Sequence, residues 1–123
     1  MNKLDDRALQ YIATYFKALA EPMRLKVLNA LQDGEKNVGE LTVIAESTQA
    51  NVSKHLSLLG QHGLVKRESR GNCVYYSIAD QSIYQLCELV CGQIGNQMNI
   101  EAEVKNLFMS TINTRNNTPA STQ

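Results

Sequence analysis

Two groups of side chains in the 123-residue chain are typed and spaced for chemistry. The first lies between Ser47 and Gly63, where Gln49, Asn51, Ser53, Lys54 and Ser57 supply amides, hydroxyls and one cation with no acid among them. As a helix capped by Ser47 or Thr48 and closed by Gly63 just past its end, this stretch puts Val52, Leu56 and Leu59 at i, i+4 and i+7 on one apolar stripe. The polar set then occupies the opposite face, where amides and hydroxyls can meet base edges in a major groove and the lysine can meet phosphate or guanine. The second group is Cys87 and Cys91, spaced i, i+4 so that both thiols share a helix face and reach one soft ion. Each group has a plain alternative. Any solvated helix is polar outside. Cysteine also packs as a small hydrophobe, and Glu88 beside Cys87 opposes a thiolate.

The flanking elements give the first group its context. Val38 to Glu46 is a shorter helical pattern, separated from the next by only a couple of residues, so residues 38–63 form a helix-turn-helix. Residues 64–69 and 73–78 are rich in β-formers on either side of Arg70-Gly71-Asn72 and predict a two-stranded hairpin, a wing over 64–78. Alternation puts Val74, Tyr76 and Ile78 on one face of it and Cys73, Tyr75 and Ser77 on the other. Upstream, Leu9, Ile12, Ala13 and Phe16 recur at helical spacing over residues 5–20, and Pro22 suits the first turn of a helix through Leu25, Leu28 and Leu31. Downstream, Asp80 is the expected cap of a helix bearing Ile83, Leu86, Val90, Ile94 and Met98. A break near 95–97 then precedes a segment with Ile100, Val104, Leu107, Phe108 and Ile112. The fold class is mainly α with a small β-hairpin wing, one winged helix-turn-helix domain over 1–112 and a polar, disordered tail over 113–123. The helices at 5–20 and 81–112 are more apolar than such a domain needs to close its core, which predicts a homodimer formed through them. Tyr11, Tyr15 and Tyr84 sit in those helices and are expected as core residues rather than ligand contacts.

Charge points the same way. The formal net charge is zero, yet Lys54, Lys66, Arg67 and Arg70 stand against Glu68 alone in 47–78, while 79–109 carries four acids against Lys105. A basic face on an otherwise acidic chain fits duplex DNA, with Lys66, Arg67 and Arg70 directed at phosphates or the minor groove. His55 and His62 have no metal-ligand company and are expected at phosphate or in packing. Cys73, on the wing, is structural or incidental. No apolar run is long enough for a membrane and the first residues lack a signal-peptide order, so a cytoplasmic protein with reduced thiols is expected. No Gly-rich phosphate loop, paired catalytic carboxylates or Ser-His-Asp set is present, and Cys-x-x-x-Cys is wider than a redox Cys-x-x-Cys, which argues against an enzyme. A winged-helix module for protein association remains the rival reading.

The segments 17–28 (Lys-Ala-Leu-Ala-Glu-Pro-Met-Arg-Leu-Lys-Val-Leu), 52–59 (Val-Ser-Lys-His-Leu-Ser-Leu-Leu), Gly63-Leu64-Val65, Gly71 and 74–78 (Val-Tyr-Tyr-Ser-Ile) together resemble the ArsR/SmtB family of winged-helix repressors over roughly residues 12–91. The resemblance implies a homodimer on an inverted-repeat operator, released by an effector, with base contacts from Gln49, Ala50, Ser53 and Lys54. Ala50 offers only an apolar contact, such as one to a thymine methyl. It also sets effector chemistry against the chain's own residues. The metal box of many members falls on residues 40–46, which hold no cysteine. The zinc or nickel ligands of others fall on Asp80, Ser82, Gln93 and Asn96, a poor set for those ions. No cysteine precedes Cys73 to complete the pair of the persulfide sensors. Cys87 and Cys91 remain, for arsenic(III), antimony(III) or another thiophilic species. Sensing and packing both stay open for them.

Overall fold

The computed structural model describes residues 2–97 and 101–116. It divides into two compact units, residues 1–80 and 81–123. The first unit runs α1 (Asp6–Leu19), α2 (Pro22–Ala30), a 3₁₀ turn (Leu31–Asp33), β1 (Lys36–Asn37), α3 (Val38–Ala45), α4 (Gln49–Gln61), β2 (Val65–Arg70) and β3 (Cys73–Ile78). The second comprises α5 (Ser82–Gly95) and α6 (Ala102–Asn116).

Local chemistry explains the boundaries. Asp5 caps α1 by accepting from the Ala8 N–H at 2.9 Å, and Glu21 does the same for α2 from the Arg24 N–H at 3.2 Å, with Pro22 in the first turn. Asn37 and Glu40 form a reciprocal capping box at the start of α3. α3 ends on Glu46 in the left-handed region (φ 53°), and Thr48 caps α4 through the Asn51 N–H, so Glu46-Ser47-Thr48 is the turn of the helix-turn-helix. α4 ends with Gly63 at φ +72°, the Leu64 N–H donating to the Leu59 carbonyl and the Gly63 N–H to that of Gly60. This Schellman closure needs a residue without a Cβ penalty at position 63.

The first unit's core gathers Val27 and Leu28 of α2, Leu31, Leu41 and Ala45 of α3, and Val52, Leu56 and Leu59 of α4, all nearly or wholly sealed from solvent. Each of these leucine and valine side chains contributes roughly 1.5–3 kcal/mol by burial. Tyr76 and Ile78 of β3 and Val65 of β2 close it from the sheet. That sheet has three strands, not two, in the order β1-β3-β2 and all antiparallel. Lys36 and Asn37 pair with Tyr76 and Tyr75. Two residues carry no periodicity, so this strand comes from pairing rather than pattern.

In the second unit α5 starts one residue later than expected. Gln81, not Asp80, occupies the capping position, and no side chain caps there. The break falls where expected, at Gly95, and the glycine has a second reason. A Cβ there would lie 2.8 Å from Met109 Sδ and 3.3 Å from Phe108 Cβ, so α6 packs directly over it. α6 runs to Asn116, making residues 113–116 helical where a disordered tail is expected. Met98, Ile100 and the tail residues 117–123 lie outside the described residues.

Candidate nucleic-acid interface

α4 is two-sided, as its sequence implies, with one correction. Val52, Leu56 and Leu59 are fully buried, and His55 joins them at 6% exposure. His55 therefore does not face a phosphate. The spacing 52-55-56-59 already places it on the buried stripe, and only its polarity suggested otherwise.

The buried imidazole is satisfied by two residues that sequence reasoning did not single out as functional. Arg24 Nη1 lies 3.3 Å from His55 Nδ1, and Glu21 Oε2 lies 3.5 Å from His55 Nε2. Nδ1 thus faces the guanidinium and Nε2 faces the carboxylate. The same guanidinium donates from Nε to the Ala18 carbonyl at 2.6 Å and from Nη2 to that of Lys17 at 3.1 Å. Arg24 thus ties the C-terminal end of α1 to the buried side of α4. Partial burial pushes the Glu21 carboxyl up. The backbone N–H groups of Met23 and Arg24, with the charges of His55 and Arg24, outweigh that and hold it below the usual carboxylate range.

On the outer side of α4, Gln49, Ala50, Lys54 and Ser57 are exposed and Ser53 half-exposed. Among the described residues the side chains of Gln49, Ser53 and Lys54 have no hydrogen-bond or ion-pair partner, so their polar groups are presented outward. Asn51 differs. Its amide nitrogen donates to Ser47 Oγ at 3.0 Å, which bends it back over the turn.

The wing separates its cations by face. Paired residues on neighbouring strands share a face, so Arg67 stands with Tyr76 on the side toward the core, and Lys66, Glu68 and Arg70 stand with Ser77, Tyr75 and Cys73 on the outer side. On that outer side Arg70 is held by the Glu35 carboxylate, lies 3.2 Å from Glu68, and stacks 4.3 Å above the Tyr75 ring. The bond to Glu35, with the charges of Glu35 and Glu68, raises its pKa further. Lys66 and Arg67 make no ion pair among the described residues. Between α4 and β2 runs an open groove of about 320 Å³, with Ser57, Gln61 and Arg67 at its rim. Gln61 is a rim residue the sequence did not single out; its place four residues after Ser57 was the available signal.

The cysteines divide as well. Cys73 is exposed on β3 in the first unit. Cys87 and Cys91 are half-buried, one turn apart on α5. Among the described residues no group of three histidines, cysteines or carboxylates is gathered to hold a metal ion, and no helix is long and apolar enough to cross a membrane.

Known proteins share this arrangement. Residues 21–67 match the profile of the bacterial regulatory protein arsR family. The chain is 35% identical over 94 residues to the arsenical resistance operon repressor of Bacillus subtilis (strain 168), covering 74% of this chain and 90% of that protein. It is 40% identical over 78 residues to a cadmium resistance transcriptional regulatory protein CadC homolog of Staphylococcus aureus, where the match covers 63% of this chain and 64%, just under two thirds, of the relative. Among solved structures, the homodimeric winged helix-turn-helix DNA-binding domain Mb0332 of Mycobacterium bovis superimposes with a TM-score of 0.67 at 29% identity, covering 80% of this chain and 94% of that one. A two-faced α4, a turn of three residues before it, a wing after it and these matched residues have one explanation: the chain belongs to the arsR family of bacterial regulatory proteins.

Proposed function

We propose that this chain is a cytoplasmic, homodimeric transcriptional repressor that binds an inverted-repeat operator in duplex DNA and leaves it when an effector binds. The outer stripe of α4 carries the reading: Gln49, Ser53 and Lys54 are presented on a helix whose other side is locked into the core, with no acid among them. Gln49 and Ser53 are assigned to base edges, Ala50 to an apolar base contact, and Lys54, Lys66 and Arg67 to phosphate or groove contacts. Asn51 is assigned to the turn before α4.

Dimer formation rests on apolar surface that a single chain leaves open. Leu9, Tyr11 and Phe16 on α1 are 45%, 80% and 49% exposed, and Leu89 on α5 and Leu107 on α6 are 71% and 65% exposed. Surfaces of this kind mark contact sites. A two-fold pair would present two copies of α4 to successive half-sites.

For the effector we assign Cys87 and Cys91 as the receiving thiols and a thiophilic species, arsenic(III) or antimony(III), as the ligand. Two thiols one turn apart fit a soft ion but supply only part of its coordination, so the second copy would contribute the rest. Such an ion, when bound, supplies strong metal–sulfur bonds; the chain's own part is to hold both sulfurs on one helix face.

The test is fluorescence anisotropy of the reduced protein on its selected operator, repeated with arsenite, zinc and a persulfide donor, for wild type and Cys87→Ser/Cys91→Ser. Salt-dependent binding that one effector abolishes in wild type alone supports both assignments. Binding that no effector alters leaves the repressor and removes the sensor. Absence of salt-dependent binding to any duplex favours a protein-association module instead.

A further inference from the structure

The two wing arginines look equivalent in sequence, and the fold gives them different surroundings. Arg70 is enclosed by Glu35, Glu68 and Tyr75. Arg67 projects from the opposite face of β2 to the rim of the groove between β2 and α4, without an acid beside it. Ser57 and Gln61, one turn apart on α4, complete that rim, and among the described residues neither side chain has a hydrogen-bond partner. The floor is Leu56, Val65 and Tyr76, all nearly sealed. Gly60 leaves the side of the groove open, because it places no side chain there.

We propose that this groove seats one deoxyribose-phosphate unit of the DNA backbone, its phosphate held by the Arg67 guanidinium, the Ser57 hydroxyl and the Gln61 amide, and its sugar lying over the apolar floor. The proposal deepens the DNA-binding reading and rests on it. Several observations select this occupant. A floor already sealed by Leu56 and Tyr76 gives no depth to enclose a small effector, which a ligand pocket would bury over most of its surface. A backbone phosphate needs the opposite, one side held and one side in water. The rim offers hydroxyl and amide donors and one uncompensated cation, the groups that commonly contact phosphate. The position also fits: with α4 in a major groove and the wing at the neighbouring minor groove, the strand backbone separating the two grooves passes between helix and wing. The C-terminal end of a helix would ordinarily repel an anion through its exposed carbonyls. Here the carbonyls of Leu58, Leu59 and Gly60 are already taken by the N–H groups of His62, Leu64 and Gly63, which weakens that repulsion.

Arg70 has no part in this seat. It braces the loop before β1 to the wing.

The experiment is a methylphosphonate scan of a duplex carrying the protein's selected binding sequence, replacing one charged phosphate at a time. It is read with wild type, Arg67→Ala, Arg67→Lys, Ser57→Ala and Arg70→Ala. One position per half-site is expected to cost wild type about 10-fold in affinity, the order of one charge-assisted contact, and to cost Arg67→Ala less than about 2-fold because the contact is already gone. Arg67→Ala should also flatten the slope of log affinity against log salt by about one. Arg67→Lys should keep the slope, Ser57→Ala should lose a few fold on every sequence without changing it, and Arg70→Ala should keep both slope and scan. The proposal is overturned if Arg67→Ala and Arg70→Ala change slope and scan alike, or if no position loses its effect in Arg67→Ala. A wild type that binds no duplex in a salt-dependent way would remove the DNA-binding reading and this seat together.

Discussion

Helix α4 is held by what it buries, and the wing by what it pairs. Three aliphatic side chains and one imidazole of α4 are inside the core, and every polar group it shows outward is left over from that arrangement. In the wing Leu64, Val65, Tyr76 and Ile78 are buried, and the tip is fixed by backbone ladder bonds together with Arg70, Glu35 and Glu68 at the surface. Burial gives a helix one fixed orientation, which reading base edges requires. Surface pairing gives the wing a face preference without comparable rigidity, and that is sufficient for contacts with a uniform backbone.

The sharpest way to break this contrast is to cut both supports equally. Leu59→Ala should destabilise the protein by about 2–5 kcal/mol, since α4 cannot close the cavity without leaving α2 and α3. Val74→Ala, on the half-buried face of the wing, should cost well under half of that. Urea titrations of the two variants compare them directly, and equal losses would mean that the wing is as much a part of the core as the helix. Next in size are the residues proposed to meet base edges. Gln49→Ala and Ser53→Ala should each weaken the selected operator by about 1–3 kcal/mol while leaving random duplex almost unchanged. Competition anisotropy measures the ratio, and a uniform loss on both duplexes would place those side chains on phosphate.

Gly63 joins the two regions and should give an intermediate effect. Alanine there must adopt a left-handed backbone at φ +72° or undo the Schellman closure, at a cost of about 1–2 kcal/mol. Chemical denaturation reads the cost. If the helix-to-wing geometry depends on this closure, Gly63→Ala should also lower affinity for random duplex, because the groove rim draws residues from both sides of the joint.

What was legible in the sequence follows the same division. α4 and its turn are readable because capping residues and a 3.6-residue period are local signals, and Gly63 marks the end by its own chemistry. The alternation of β3 is equally local, and Tyr76 and Ile78 are inside while Cys73 is outside, as the pattern requires. The missed features depend on residues far apart in the chain. β1 exists because Lys36 and Asn37 meet Tyr76 and Tyr75, and Arg70 is neutralised by a glutamate 35 positions earlier. His55 is a different kind of miss: its spacing placed it inside, but a polar residue on a buried stripe is satisfied only once Arg24, 31 positions away, is known to reach it. A charge count over a segment therefore detects a basic surface without saying which cation remains available to DNA.

The smallest expected effect tests the polar link beneath α4. Glu21 accepts the Arg24 N–H, faces His55 Nε2, and has its pKa lowered below the ordinary value of 4.5. A carboxyl whose folded pKa is depressed adds stability that is fully present above its unfolded value and is lost as pH falls through the folded one. Glu21→Gln keeps a carbonyl that can cap α2 but has no charge to titrate. The stability difference between wild type and Glu21→Gln should therefore be constant near neutral pH and shrink below about pH 4.5 as the wild-type carboxyl takes up its proton. Urea titrations of both proteins across that range measure it. A difference that stays constant into acid would show that Glu21 acts only as a helix cap. The contact with His55 would then have no part in fixing the buried side of α4, leaving Arg24 as the polar anchor between α1 and α4.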